Sequence, residues 1–324
     1  MRIGSNPEKE KNEKNQLKQH RVVMVFYVPN SEEEYYKELH KVLDKSLESL
    51  VKTINFETTA ITLINNNSTS ELNSVVSKYI QYIDKYICYS ENKGKVHAVI
   101  NEVRGVYEPF VTITDADVLF YSGWEQAVFS VFKTYPKAGV VSPLPVPHCS
   151  FARNSVLFWD GLFSNLKYGS ILSSHDTELY KKSIDNPEIF RRQWHEYWDV
   201  KHLYLDGAPQ AIVGATHFVA TYKTDLFRNQ YEFPEFKFKA GYEDHFMDVI
   251  AENKGMYRLS TTQTFAYHIG NSLDDVTEIH TYASDKLITS NFFNGLSTVV
   301  GKTSFINKIK ILLGKAVLKY KWNK

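Results

Sequence analysis

The stretch FVTITDADVLFYSGW sets Asp115 and Asp117 one residue apart, straight after an alternating apolar run. Like charges held that close repel unless a cation, a proton or a hydrogen-bond donor sits between them. Aspartate is also common at strand-to-turn junctions for conformational reasons alone, so the pair gains meaning only from what the rest of the chain brings to it. Four more polar groupings recur in order along the chain: INNNS (64–68), ENKGK (91–95), GYED (241–244) and YHIGN (267–271). Together they offer carboxylates, amides, a lysine and an imidazole, the side chains that hold anions and cations.

The elements that must position them can be read from periodicity. VVMVFYV (22–28) is a short apolar run of the kind that forms a buried strand. Pro29 and Asn30 end it. Ser31 is placed to cap a helix with Glu32, Glu33 and Glu34 in its first turn, and Leu39, Val42, Leu43, Leu47 and Leu50 recur at helical spacing. The strand-turn-helix unit then repeats. AITLI (60–64) leads into a polar turn and a helix over 71–83, and YICY (86–89) leads into ENKGK and a helix through Val103. FVTIT closes the series at the two aspartates. This alternation predicts an α/β fold with a mostly parallel central sheet and helices on both faces. Ligands in such sheets bind at the carboxyl ends of strands, so INNNS, ENKGK and DAD should share one crevice.

Beyond Trp124 the pattern predicts a helix to about Tyr135 and a strand at AGVVSP (138–143). A less regular aromatic insertion over the crevice follows at 148–206, strand character resumes over 211–222, and a helix opens at GYED. Residues 1–20 read as a disordered lead, being charged and without an apolar core. They form neither a secretory signal nor a membrane span. The last 23 residues carry seven lysines and no acid, with Phe305, Ile309, Leu312, Leu313, Ala316, Val317 and Tyr320 on one helical face. Such a basic amphipathic tail helix (301–324) either lies on an anionic membrane surface or packs its apolar face on the protein.

Composition narrows the functional classes. A chain of 324 residues with 43% hydrophobic content can bury a large core. With 38 basic residues against 37 acidic ones it lacks the positive field that nonspecific nucleic-acid binding requires, and no nucleic-acid partner is expected. Cys88 and Cys149 are too few for a disulfide framework or a cysteine zinc site and suit a reducing compartment. A cytoplasmic location is the resulting expectation, with the tail allowing a peripheral place at the inner face of a membrane.

The ordered set INNNS, ENKGK, TDAD, GYED and YHIGN, from Val22 to Asn271, resembles the family 2 glycosyltransferases, nucleotide-sugar enzymes of the GT-A fold. The resemblance implies a nucleotide-sugar-binding half at 21–147 and an acceptor and catalytic half at 207–300. It implies that Asp117 contacts a divalent cation directly, that Asp115 helps through the ribose or a metal-bound water, and that His268 completes the metal or diphosphate site. Mg²⁺ or Mn²⁺ suits hard oxygen ligands, and an imidazole leans towards Mn²⁺. Asp244 matches the family's general base, with Glu243 as the alternative, and a single displacement would invert the anomeric configuration. Asn65 stands where the family usually has an aspartate reading the base ring, so a UDP-sugar donor is favoured without being fixed. Asn92, Gly94 and Lys95 fit the family turn, although Asn101 lies one place beyond its usual asparagine. Lys95 can reach a phosphate or simply be solvated.

Tyr27 and Pro29 are positioned to flank the base, and the turn at Gly214 to let backbone approach the donor. The acceptor implied is a hydroxyl of a saccharide or lipid-linked glycan, with Trp159, Trp194 or Trp198 as stacking platforms or as core. Two rivals remain at this level. One is a nucleotide-sugar-binding protein without turnover. The other is a haloacid dehalogenase-like phosphatase, whose DxD normally follows the first strand of its domain, whereas Val118 and Leu119 follow a fourth-strand DAD here. A sugar nucleotidyltransferase would need a glycine-rich loop that YVPNSEEEY (27–35) lacks.

Overall fold

A computed structural model describes residues 4, 6, 11, 17–163, 165–191, 197–228, 230, 232–278 and 287–322. Most of the 1–20 lead therefore lies outside the described residues. The strands are β1 (His20–Phe26), β2 (Thr59–Asn65), β3 (Lys85–Cys88), β4 (Phe110–Asp115), β5 (Val118–Phe120), β6 (Ala138–Ser142), β7 (Leu166–Gly169), β8 (His202–Leu205), β9 (Ala211–Val213), β10 (Val219–Lys223), β11 (Tyr257–Ser260) and β12 (Ala266–His268). The helices are α1 (Leu39–Thr53), α2 (Asn73–Tyr79), α3 (Lys95–Val103), α4 (Trp124–Thr134), α5 (Ser155–Asp160), α6 (Ser174–Ser183), α7 (Val249–Asn253), α8 (Asp275–Glu278) and α9 (Phe305–Trp322).

Ten strands form one sheet in the order β3-β2-β1-β4-β10-β6-β11-β9-β8-β7. β3, β2, β1 and β4 are mutually parallel, and β10, β9 and β7 are the strands that oppose them, so the sheet is mostly parallel in direction. Alternation along β1 explains the layering. Val22, Met24 and Phe26 face one core with Leu43, Leu47 and Leu50 of α1, while Val23 and Val25 face a second with Val96, Val99 and Val103 of α3. Both faces of β1 are thus dry, as its unbroken apolar run requires. The aromatic segment 148–206 supplies α5, α6 and two strands, β7 and β8, that extend the far edge of the sheet.

Two local expectations are corrected. α1 begins at Leu39, not at Ser31, because Asn30 takes the first turn for itself: its Oδ1 accepts from the Glu32 and Glu33 amides at 3.1 and 3.0 Å. The strand character over 211–222 is split into β9 and β10, with Gly214 at φ +129° between them.

Candidate active site

Register decides what meets what. Val25 pairs with Asp115 across β1 and β4, and Phe26 with Asn65 across β1 and β2. The carboxyl ends of these strands therefore stop together, and a cavity of about 320 Å³ opens beyond them. Tyr27, Tyr35, Leu39 and Leu43 give it an apolar and aromatic wall, and Asn92, Lys95, Asp115 and Asp117 give it a polar end. An apolar slot beside a charged end is the form that a base plus a diphosphate requires.

The polar end is built by two short-range devices. In the first, Asp115 and Asp117 flank the turn from β4 into β5, which pairs antiparallel with β12 so that His268 lies opposite Val118. The Ile269 amide donates to the Asp117 carbonyl at 2.6 Å. The register places His268 Nε2 3.4 Å from Asp117 Oδ2, and His268 Nδ1 donates to the Ser183 carbonyl at 3.2 Å. A ring nitrogen that donates to a carbonyl directs the other nitrogen's lone pair forward, the usual orientation of a metal-binding histidine.

In the second device, Asn66 ties the 92–95 turn to β2. It donates to Asn92 Oδ1 at 2.9 Å and accepts from the Lys93 amide at 2.9 Å. That turn leads into α3 and sends Lys95 Nζ to Asp115 Oδ1 at 2.5 Å.

The electrostatics follow from this crowding. Burial, and then the Asp115 carboxylate, push Asp117 up to about 6, against the opposing pull of His268 and Lys95. Burial would lower the Lys95 ammonium, yet Asp115, Glu243 and Asp117 outweigh it and hold the lysine above its ordinary value. Glu243 therefore acts on the polar end of the cavity although it does not line it. Asp117 Oδ1 is buried with no hydrogen-bond partner. Asp117 thus has one buried, unsatisfied oxygen, Oδ1, and an imidazole nitrogen against the other, Oδ2, a donor set that fits a cation. Among the described residues no group of three or more His, Cys, Asp or Glu is arranged to hold a metal unaided, so further ligands would have to come from substrate phosphate and water.

The remaining expected residues separate. Asn65 does not line the cavity, because its Oδ1 accepts from the Ser68 amide at 2.7 Å and its Nδ2 donates to the Tyr86 hydroxyl at 3.2 Å. Its neighbour Asn66 lines the cavity instead. Pro29 ends β1 without reaching the cavity wall. Gly214 is needed for another close approach: a Cβ there would lie 2.6 Å from the Val146 carbonyl oxygen. Trp198 is buried in the main core against Phe151 and cannot stack on a sugar. Trp159 packs edge-on to Phe163, and Trp194 lies outside the described residues.

Asp244 begins a π-helical turn, Asp244–Asp248, a rare geometry found often at functional sites. It is held side-on by two nitrogens of one guanidinium: Arg153 Nε donates to its Oδ1 at 2.7 Å and Arg153 Nη2 to its Oδ2. This pairing holds Asp244 below the ordinary carboxylate range. Arg153 occupies the left-handed region at φ +55°, a strained position for a residue other than glycine.

The buried Arg258 braces both partners. It bonds the Ala152 and Ala215 carbonyls at 3.3 and 2.7 Å and pairs with Asp248 at 2.8 Å. Nothing in the local sequence CSFARNS (149–155) or YRLS (257–260) signals these two arginines, since Arg153 meets Asp244 91 residues on and Arg258 meets carbonyls 106 and 43 residues back. Asn66 adjoins Asn65 in the chain, and the 92–93 turn that it holds is what brings it to the cavity.

Gly94 offers a test of how the cavity mouth is built. It sits at φ +84° and ψ 146°, a conformation almost confined to glycine, and a Cβ there would lie 2.1 Å from the Lys237 carbonyl oxygen. The 237 segment carries Phe238, which lines the cavity. Gly94→Ala is expected to cost about 1–3 kcal/mol and to alter binding in the cavity by displacing Phe238. Urea melts and nucleotide titration check both.

The Glycosyl transferase family 2 model matches residues 35–169. That span contains the cavity turns, both aspartates and Arg153, while Glu243, Asp244 and His268 lie outside it. No curated protein matches the chain. Among solved structures, TarS 1–349 of S. aureus is 13% identical with a TM-score of 0.45, covering 77% of this chain and 60% of its own. The mannosyltransferase PcManGT of Pyrobaculum calidifontis, solved with GDP-Man and Mn²⁺, is 13% identical with a TM-score of 0.43 over 94% of this chain and 75% of its own. GalNAc-T7, solved with UDP, GalNAc and Mn²⁺, is 13% identical with a TM-score of 0.48 over 80% of this chain and 44% of its own. The chain thus spans 60% of the length of the TarS chain it matches. Residues 35–169 are thus similar to a glycosyl transferase family 2 domain.

Proposed function

We propose that this enzyme moves a sugar from a nucleoside-diphosphate sugar to a hydroxyl of a saccharide or lipid-linked saccharide, with inversion and with the help of a divalent cation. The observation that carries the reading is the polar end of the cavity, where Asp117, with its Oδ1 unsatisfied and its Oδ2 against the His268 imidazole, lines the wall together with Asp115 and Lys95. The base of the nucleotide lies against Tyr27, Tyr35 and Leu39, and the diphosphate lies towards Lys95. Asp117, with Asp115 and His268, would hold Mn²⁺ or Mg²⁺, which when bound supplies positive charge to the departing diphosphate.

Lys95 is tied to Asp115, and a phosphate would compete for it as a second anion. Asp244 takes the acceptor proton, oriented by Arg153, with Glu243 as the alternative base. UDP is the favoured nucleotide, although Asn66 has both its amide atoms engaged in the turn and gives no separate reading of the ring. The enzyme works in the cytoplasm or at the inner face of a membrane. Among the described residues, no helix is long and apolar enough to cross one.

Screening UDP-, GDP- and dTDP-sugars for release of nucleoside diphosphate tests the proposal. One donor class should be turned over with Mn²⁺ or Mg²⁺ and spared in chelator. Binding of every nucleotide without any release, with or without a saccharide acceptor, would leave a binding protein. Release that is indifferent to chelator would remove the cation from the reading.

A further inference from the structure

The helix α9 has two apolar faces, and the fold uses only one of them. Gly314 packs so closely on α5 that a Cβ there would lie 1.8 Å from the Ser155 carbonyl oxygen. Leu318 is buried, and Trp322 meets Tyr168 with ring centroids 5.2 Å apart. Lys310 pairs with Asp160 at 3.0 Å. These contacts fix the rotation of the helix about its axis. The side turned away from the enzyme carries Phe305, Ile309, Leu312, Leu313 and Tyr320, exposed by 76, 40, 67, 37 and 85%. Single exposed apolar residues are ordinary on a protein surface. Five large ones in one stripe along a helix mark an interaction surface. The sequence left open whether this face packs on the protein or meets a membrane; of its seven residues Val317 packs on the core and Ala316 is half-buried, while the other five face outward.

We propose that this stripe is a docking surface for an anionic membrane, with α9 lying along it. Charge selects the occupant. Residues 302–324 hold seven of the chain's 38 basic residues and none of its 37 acidic ones. Lys308, Lys315 and Lys319 are exposed and fall along one edge of the stripe by helical spacing. A second copy would bring the same positive charge against itself, which opposes pairing through this face. Anionic headgroups answer the lysines while the boundary of the acyl chains takes the apolar side chains, with the exposed Tyr320 near the end of the helix where such a ring favours the interface. Because α9 is locked to α5 through Gly314, docking would also fix how the enzyme is turned towards the surface. The inference stands on α9 alone and is independent of the transfer chemistry.

Flotation of the full chain with vesicles tests it. Vesicles of phosphatidylcholine with phosphatidylglycerol should bind the protein at low salt and release it at high salt, and phosphatidylcholine alone should not. Lys308→Gln, Lys315→Gln and Lys319→Gln together should lower partitioning on the order of 100-fold. Leu312→Asp, at an exposed position, should lower it at least about tenfold. Thermal melts and donor hydrolysis should stay at wild-type values in both variants, which separates this surface from the active site. Equal binding to both vesicle types, or wild-type partitioning of Leu312→Asp, overturns the proposal. Dimerisation without vesicles that Leu312→Asp abolishes would assign the stripe to a second copy and overturn it as well.

Discussion

Asp117→Asn is expected to fold as the wild type does and to lose transfer on the order of 10²–10³-fold at saturating Mn²⁺. The two halves of that outcome have one cause. Asp117 is held as a charge in a place that disfavours charge: it is mostly buried, Asp115 is two residues away, and one oxygen has no partner. In the protein alone its carboxylate is a liability, and an amide of the same shape removes the repulsion, so melting should be unchanged or higher. Such a liability is retained where something positive completes it. His268 and Lys95 supply part of that charge, but Lys95 is already engaged with Asp115.

Isothermal titration separates the steps. The variant should lose most of its Mn²⁺ affinity in the presence of nucleoside diphosphate while retaining nucleotide contacts made by the Tyr27 wall. Wild-type transfer by Asp117→Asn at saturating metal would remove Asp117 from the metal site. Loss of activity together with a collapse in melting temperature would show instead that the residue is structural.

The parts of this molecule that could be read from the chain are those governed by local periodicity. The apolar run at 22–28, the helix through Val103 and the DAD turn each follow from nearest-neighbour patterning, and their order implies that the carboxyl ends of β1, β2 and β4 converge. Residues whose places depend on contacts distant in the chain were not legible. Asn65 and Asn66 are chemically identical, and they are told apart by partners further along the chain, the Tyr86 hydroxyl for Asn65 and the 92–93 turn for Asn66. Trp198 looks like a sugar platform until the core that covers it is known. Arg153 lies 91 residues before its partner Asp244, and its left-handed backbone is enforced by the surroundings and not by its type. α9 shows the same limit: its amphipathic pattern was clear, but a glycine contact with α5 selects which face turns inward.

That unexpected arginine sharpens the assignment of the base. Asp244→Asn is expected to bind nucleotide sugar normally and to lose transfer by at least about 10²-fold, the usual scale for a general base. Glu243→Gln should act differently, because its charge is felt at Lys95 in the donor cavity: it should weaken donor binding more than it slows turnover. The bond from Arg153 lowers the proton affinity of Asp244, which weakens it as a base. It also fixes the carboxylate plane while leaving lone pairs for an acceptor hydroxyl.

On this account Arg153 is a positioning residue. Arg153→Gln should lower kcat roughly tenfold, a partial loss because the carboxylate remains, with little change in donor KM. Asp244 should then rise towards an ordinary carboxylate value. A base whose proton affinity rises stays protonated to higher pH, so the acid limb of the rate profile should move upward in the variant, and the basic limb should not move. Steady-state rates of donor hydrolysis and transfer across pH measure both. An unmoved acid limb with wild-type kcat would mean that the Arg153–Asp244 pair is only a surface ion pair, and a large loss in Glu243→Gln with none in Asp244→Asn would transfer the base to Glu243.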